Sequence, residues 1–223
     1  MQKFDTPSPV TAVLDIPAGR IQFIAADRTD TCVEILPADK SKSRDIKAAE
    51  QTTVAYADGV LRIEAAAAKN RILGNSGSVE VTVQLPAGSH IEAKTAAAEL
   101  RGVGRLGNVT FEGAQGPVKL DETASAHLTL QAGDILIGRL TGPAQISTQK
   151  GDLNITEATS GTVELRTESG DITIGAARGT SAALDAGTAY GRIHNTLQNA
   201  EGTDAGLNIQ ATTSYGDITA RSL

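Results

Sequence analysis

Between Gly107 and Gly179 a glycine falls at nearly every ninth residue: Gly107, Gly116, Gly133, Gly142, Gly151, Gly161, Gly170 and Gly179, with the one expected near Ala124 and Ser125 missing. Two flavours alternate. One reads Gly-Asp followed by apolar-x-apolar, as in Gly133-Asp134-Ile135-Leu136-Ile137, Gly151-Asp152-Leu153-Asn154-Ile155 and Gly170-Asp171-Ile172-Thr173-Ile174. The other reads Gly-Pro or Gly-Thr before a similar strand, as in Gly116-Pro117-Val118-Lys119-Leu120, Gly142-Pro143-Ala144-Gln145-Ile146 and Gly161-Thr162-Val163-Glu164-Leu165. A turn signal followed by a short alternating strand, repeated in pairs, makes the unit two strands long, with a period of 18 or 19 residues. Such a unit cannot bury its apolar face alone and has to stack on its neighbours.

Composition narrows the interior. Apolar residues are 40% of the chain but aromatics only 3%, without Trp, so Ile, Leu, Val and Ala must build the core. That suits a thin space between two sheets about 10 Å apart. A net charge of −6 argues against nucleic acid or an anionic membrane surface as the main partner. The start Met1-Gln2-Lys3-Phe4-Asp5-Thr6-Pro7 has no apolar stretch of the secretory kind, and no run reaches the length of a membrane helix. The one cysteine, Cys32, alternates within a strand-like run and cannot form an internal disulfide. These features set the expectation of a cytoplasmic protein.

The first ninety-odd residues follow a hairpin rhythm. Asp58-Gly59 lies between two strand-like runs, the strongest short-range hairpin signal. Leu14-Asp15-Ile16-Pro17-Ala18-Gly19 resembles Gln84-Leu85-Pro86-Ala87-Gly88: Pro ends a strand and Gly supplies a turn before the next. Residues 37–50 are polar and read as a long loop, with room for a turn of helix; residues 64–69 also read as a loop. After Gly179 the spacing loosens. Gly191-Arg192-Ile193-His194 and Gly216-Asp217-Ile218-Thr219 keep the first flavour, and Gly206-Leu207-Asn208-Ile209 echoes the second.

The Pro-Ala-Gly junctions, the unit Ser169-Gly170-Asp171-Ile172-Thr173-Ile174 and the ending Tyr215-Gly216-Asp217-Ile218-Thr219 resemble a bacterial β-strand-repeat family without an assigned function, in its actinobacterial form. Its members carry the name of candidate adhesins. The resemblance runs from about Val10 to the C-terminus and implies an all-β repeat fold and, by the family's name, adhesion.

Four groups of residues invite a chemical reading. Gly102-Val103-Gly104-Arg105-Leu106-Gly107 matches the dinucleotide fingerprint, but a strand-like run follows where a helix is needed, so turn glycines are the better reading. Asp134, Asp152, Asp171 and Asp217 are placed at one corner of successive rungs, with Arg192 between Asp171 and Asp217 and Asn108 in the first repeat. A Ca²⁺ ion held by Asp134, Asp152 and Asp171 is one reading of that row; the favoured one has each Asp capping its own turn through backbone N–H groups. His90, His127 and His194 lack metal-ligand spacing and read as solvated. The outward stripes are expected to be Thr110, Leu136, Asn154, Thr173, His194 and Thr219 on one face, and Lys119, Gln145, Glu164 and Ala183 on the other. No nucleophile elbow, P-loop or zincin motif occurs, so no catalytic residue and no cofactor is assigned.

The sequence therefore predicts an all-β chain: an antiparallel, hairpin-rich portion over residues 1–95, continuous with a two-sided β-solenoid over residues 96–223. Glycine turns close its rungs, and it winds right-handed by the chirality of crossovers. A non-enzymatic scaffold or interaction module for a protein partner is the expected role. An exported adhesin and a carbohydrate-active β-helix enzyme are the alternatives. With rungs stacked in sequence order, the strand at 217–219 ends the solenoid, and the loop at 196–206 is expected to fold over its edge. A monomer follows, with edge-to-edge pairing of two copies as the alternative.

Overall fold

The computed structural model describes residues 1–66, 77–200 and 202–223, so residues 67–69 of the expected loop at 64–69 lie outside the described residues. Among those residues nearly all regular structure is strand, with a single α-helix. The chain divides into two compact units, Met1–Gly116 and Pro117–Leu223.

The first unit holds β1 (Gln2–Asp5), β2 (Thr11–Ala26), β3 (Asp30–Pro37), α1 (Ser43–Gln51), β4 (Thr53–Ala57), β5 (Val60–Glu64), β6 (Val79–Pro86) and β7 (His90–Gln115). Antiparallel pairs join β1 with β3, β3 with β6, and β4 with β5 across the expected Asp58-Gly59 turn, whose φ angles of 51° and 78° are those of a primed turn. Parallel stacking, however, starts within this unit rather than after residue 95. One side of β2 pairs parallel with β5 and then β6, and its other side runs parallel to β7 from Thr11↔His90 to Ala25↔Gly104. The Pro17-Ala18-Gly19 junction is thus a bend inside one long strand, not the end of a hairpin arm. Pro and Gly mark a change of direction equally well in both settings, which is why the sequence did not separate them.

Residues 37–50 hold more than a loop. Helix α1 is too short to stand on propensity; its anchor is the buried Asp45 carboxylate, which accepts the backbone N–H of Ser78 at 3.0 Å.

The second unit is built of β8 (Val118–Ala132), β9 (Ile135–Leu140), β10 (Ala144–Lys150), β11 (Leu153–Ala158), β12 (Gly161–Ser169), β13 (Ile172–Ala176), β14 (Ala182–Tyr190), β15 (Ile193–Thr196), β16 (Leu207–Tyr215) and β17 (Ile218–Ser222). Its inter-rung pairings are parallel. In one column Val118, Ile135, Leu153, Ile172, Ile218 and Ile193 follow one another; in the other, Leu128, Ile146, Leu165, Ala211 and Ala186. The alternation placed Ile135, Ile137, Leu153, Ile155, Ile172 and Ile174 inside, and all are buried. The repeat of Gly-Pro turns sets Val118 and Leu120 apart from the Gly-Asp strands in sequence, yet both are buried and stack on Ile135 and Ile137 in the same column. Pro117 resembles Pro143 in sequence, yet it belongs to the Gly-Asp column. Phase decides this, since at nine-residue spacing every second turn shares a face.

The rungs do not stack in sequence order. β16 lies between β12 and β14, and β17 between β13 and β15, so the last rung of the chain is next to outermost in space and β14–β15 is outermost. The inward positions explain the exchange. Leu207, Ile209, Ala211, Ile218 and Ala220 are all apolar and buried, whereas β15 puts Asn195 in register with Ala220. A rung with an inward amide costs free energy between two neighbours and little at the open end.

A column of hydroxyls closes the corners. Thr167, Thr213 and Thr188 donate from Oγ1 to the carbonyls of Gly151, Gly170 and Gly216 at 3.1, 3.0 and 3.0 Å, each on an adjoining rung. Thr167 and Thr213 are buried. Sequence reading missed this column because Thr at an inward position looks like ordinary strand residue.

Candidate interaction surface

The Gly-Asp corner forms one row, in the order Asp134, Asp152, Asp171, Asp217, Arg192. Asp134 Oδ1 accepts the backbone N–H of Asp152 at 2.9 Å, and Asp152 Oδ1 that of Asp171 at 2.8 Å. Asp171 Oδ1 accepts the N–H of Asp217, and Asp217 Oδ1 that of Arg192, both at 2.8 Å. Each carboxylate therefore caps the turn of the next rung, not its own. Arg192 does not sit between Asp171 and Asp217 as expected; it ends the row, with its guanidinium Nη2 3.3 Å from Asp217 Oδ2. Backbone dipoles between successive carboxylates, and the cation at the end, offset the repulsion that a bare row of like charges would suffer. Asn108 is not in the row: its N–H donates to His90 Nδ1 at 2.9 Å in the first unit, so His90 makes a capping bond of its own.

The outward stripes are likewise reordered. On the Gly-Asp face they run Lys119, Leu136, Asn154, Thr173, Thr219, His194; on the other, His127, Gln145, Glu164, Gln210, Asp185. Thr110 lies in the first unit and Ala183 pairs with Asn208 one position away. The Gly102-to-Gly107 fingerprint lies wholly within β7, with no helix behind it to hold a pyrophosphate. Cys32 sits on β3, its thiol 3.3 Å from Arg28 Nη2. Hydrogen bonds from Arg28 and then Lys3 hold the Asp30 carboxyl there well below the usual aspartate range. Among the described residues no three His, Cys, Asp or Glu side chains gather in a way that could hold a metal ion.

Among the described residues, the outermost rung is the part of the second unit that the unit's own strands leave open. Among the described residues no strand pairs with the outer side of β14 or β15. Ile193 is 46% exposed, whereas Ile218, its neighbour in the same column, is 0% exposed. Leu184 and Ala186 are half-buried although Ile209 and Ala211 beneath them are buried. At the corner the rings of Tyr190 and Tyr215 stack, with centroids 5.0 Å apart and planes at 4°, and both are largely exposed. The terminal strand is interior, so the 196–206 loop closes no open edge there. Gln198 N–H donates to Ser222 Oγ at the end of β17 at 2.9 Å, while Gln198 O accepts Ala182 N–H at 3.0 Å and Ser181 Oγ accepts Ala200 N–H at 3.1 Å at the start of β14. Among the described residues, no strand pairs with the edge from Ala183 to Tyr190.

The row gives a prediction about cations. With every Oδ1 already accepting a backbone N–H, added Ca²⁺ should not raise the melting temperature and EDTA should not lower it. Asp171→Asn, which keeps an acceptor at that position, should be nearly neutral, while Asp171→Ala should cost about 1–3 kcal/mol by leaving the Asp217 N–H unpaired. A saturable Ca²⁺ stabilisation lost in Asp152→Asn would reverse this assignment.

No curated protein matches the chain significantly. Several solved structures resemble the chain along its length at low identity. A candidate adhesin of Bacteroides fragilis has 12% identity and a TM-score of 0.47, over 98% of this chain and 95% of that one. A candidate cell adhesion protein of Clostridium sporogenes has 12% identity and a TM-score of 0.45, over 100% and 98%. A candidate lipid-binding protein of Parabacteroides distasonis has 12% identity and a TM-score of 0.44, over 98% and 95%. A family profile matches residues 15–221, nearly the whole length, and the chain belongs to the Toastrack DUF4097 family.

Proposed function

We propose that this protein is a non-enzymatic β-repeat module that binds a protein partner through the outer rung β14–β15. One observation carries the reading: Ile193 occupies a core position of the repeat, yet it is 46% exposed beside strand edges that, among the described residues, no strand pairs with on either face. An open edge supplies main-chain donors and acceptors, and the exposed core end supplies apolar area; together these are the ingredients of strand addition. In the Gly-Asp row the Oδ1 atoms of Asp134, Asp152, Asp171 and Asp217 hold backbone N–H groups, which gives these four carboxylates a structural task. The cytoplasm and a right-handed winding belong to the same proposal, the first supported by a single cysteine and the second by the general chirality of crossovers. Affinity capture from the native host tests it: the full chain should retain a protein partner that the Ile193→Lys variant loses. Equal retention by both would show that the rung is not the binding surface.

A further inference from the structure

We propose that the occupant of this edge is a second copy of the same chain, docked across a two-fold axis with β14 antiparallel to its counterpart and centred on Gly187. This rests on the reading of the outer rung as the interaction surface, and it names the partner. The rung is open on two faces at once, along β14 and along β15. A single extended peptide pairs with one strand and leaves the other, with its exposed core end, in water. A second two-sided rung covers both, and this chain carries one. A two-fold axis perpendicular to both sheets pairs β14 with β14 and β15 with β15 in one docking event.

Hydrogen-bond direction fixes the register. The N–H of Ala182 points away from β16, to Gln198 O, so by the alternation of a strand the N–H groups of Leu184, Ala186 and Thr188 also point outward. With Gly187 opposite Gly187, Ala186 exchanges two bonds with Thr188 of the other copy, and Leu184 faces Tyr190. Asp185, the one charged residue of β14, then faces Ala189, so no like charges oppose. Gln198 blocks the edge at Ala182, which prevents the pairing from sliding toward the start of the strand. The nine residues of β14 span about 30 Å and the four of β15 about 13 Å, so at about 10 Å per layer the rung end offers roughly 430 Å² per copy, about 860 Å² in all, the size of a weak, reversible interface. In the first unit, by contrast, β5 is already covered by β4, and β6 by β3.

Sedimentation velocity on the full chain, from low to high micromolar concentration, tests the proposal. A reversible dimer is expected. Ala186→Pro, which removes an outward N–H, and Ile193→Lys, which puts a charge at the core end, should each return it to monomer with an unchanged circular dichroism spectrum. Because one of these variants could fail to fold, a third measurement stands apart: Gly187→Cys in a Cys32→Ser background should give a disulfide-linked dimer on mild oxidation, as opposed non-bonded pairs lie close enough to bridge. A monomer at every concentration, a dimer that survives both edge variants, or no cross-link at Gly187→Cys overturns the proposal. If the chain is monomeric while Ile193→Lys still loses a captured host protein, the second-copy inference fails and the reading of the surface stands.

Discussion

Alanine at Gly170 is expected to destabilise the second unit by about 3 kcal/mol or more, read from the denaturant midpoint. Gly170 has a φ of 155°, and a Cβ placed there would lie 2.0 Å from the carbonyl oxygen of Gly151 on the neighbouring rung. That oxygen cannot simply move away, because Thr167 Oγ1 donates to it at 3.1 Å. The added methyl must therefore force two rungs apart or break a buried hydroxyl bond. Gly206 is the control: a Cβ there meets nothing within 4 Å, so Gly206→Ala should change stability by less than about 0.5 kcal/mol. Equal small effects at the two positions would mean that the rungs are not in contact at that corner.

The second large effect is expected in the core. Ile172 is 0% exposed and lies between Leu153 and Ile218 in its column. Ile172→Ala removes contacts to both adjoining rungs and should cost about 2–5 kcal/mol, with the upper part of that range favoured where stacked strands cannot collapse onto the gap. Thr173, the next residue, points outward and is half-buried, so Thr173→Ala should cost less than about 1 kcal/mol. A reversed order of the two effects would put the strand one residue out of register and turn its apolar face to solvent.

Local chemistry in the sequence determined a good deal. The alternation at residues 135–137, 153–155 and 172–174 identified the buried side chains, because a strand turns successive residues to opposite faces whatever it stacks against. Asp58-Gly59 located the β4–β5 hairpin for a similar reason: the turn depends on the two residues that make it. The spacing of the Gly-Asp repeat was enough to bring Asp134, Asp152, Asp171 and Asp217 to one corner. Other features depend on which rung lies next to which, and no local pattern encodes that. The Asp carboxylates bond to the following rung, Thr167 and Thr213 to the carbonyl of another, and β2 runs parallel to β7 although about eighty residues separate them.

Rung order is the sharpest case. Sequence proximity favours stacking β14–β15 on β12–β13, since a short connection costs the least closure entropy. Tertiary structure places β16–β17 there, because burying Leu207, Ile209 and Ile218 gains more than a slightly longer connection loses, and loop length is a weak logarithmic cost. So the sequence alone determined that the chain is a stack of paired strands, and which side chains face in. The tertiary structure decided which rung is left at the end, and with it where the Asp row stops at Arg192 and which edge is open to a partner, because those outcomes follow from comparing the burial of whole rungs and not from the preference of any one residue.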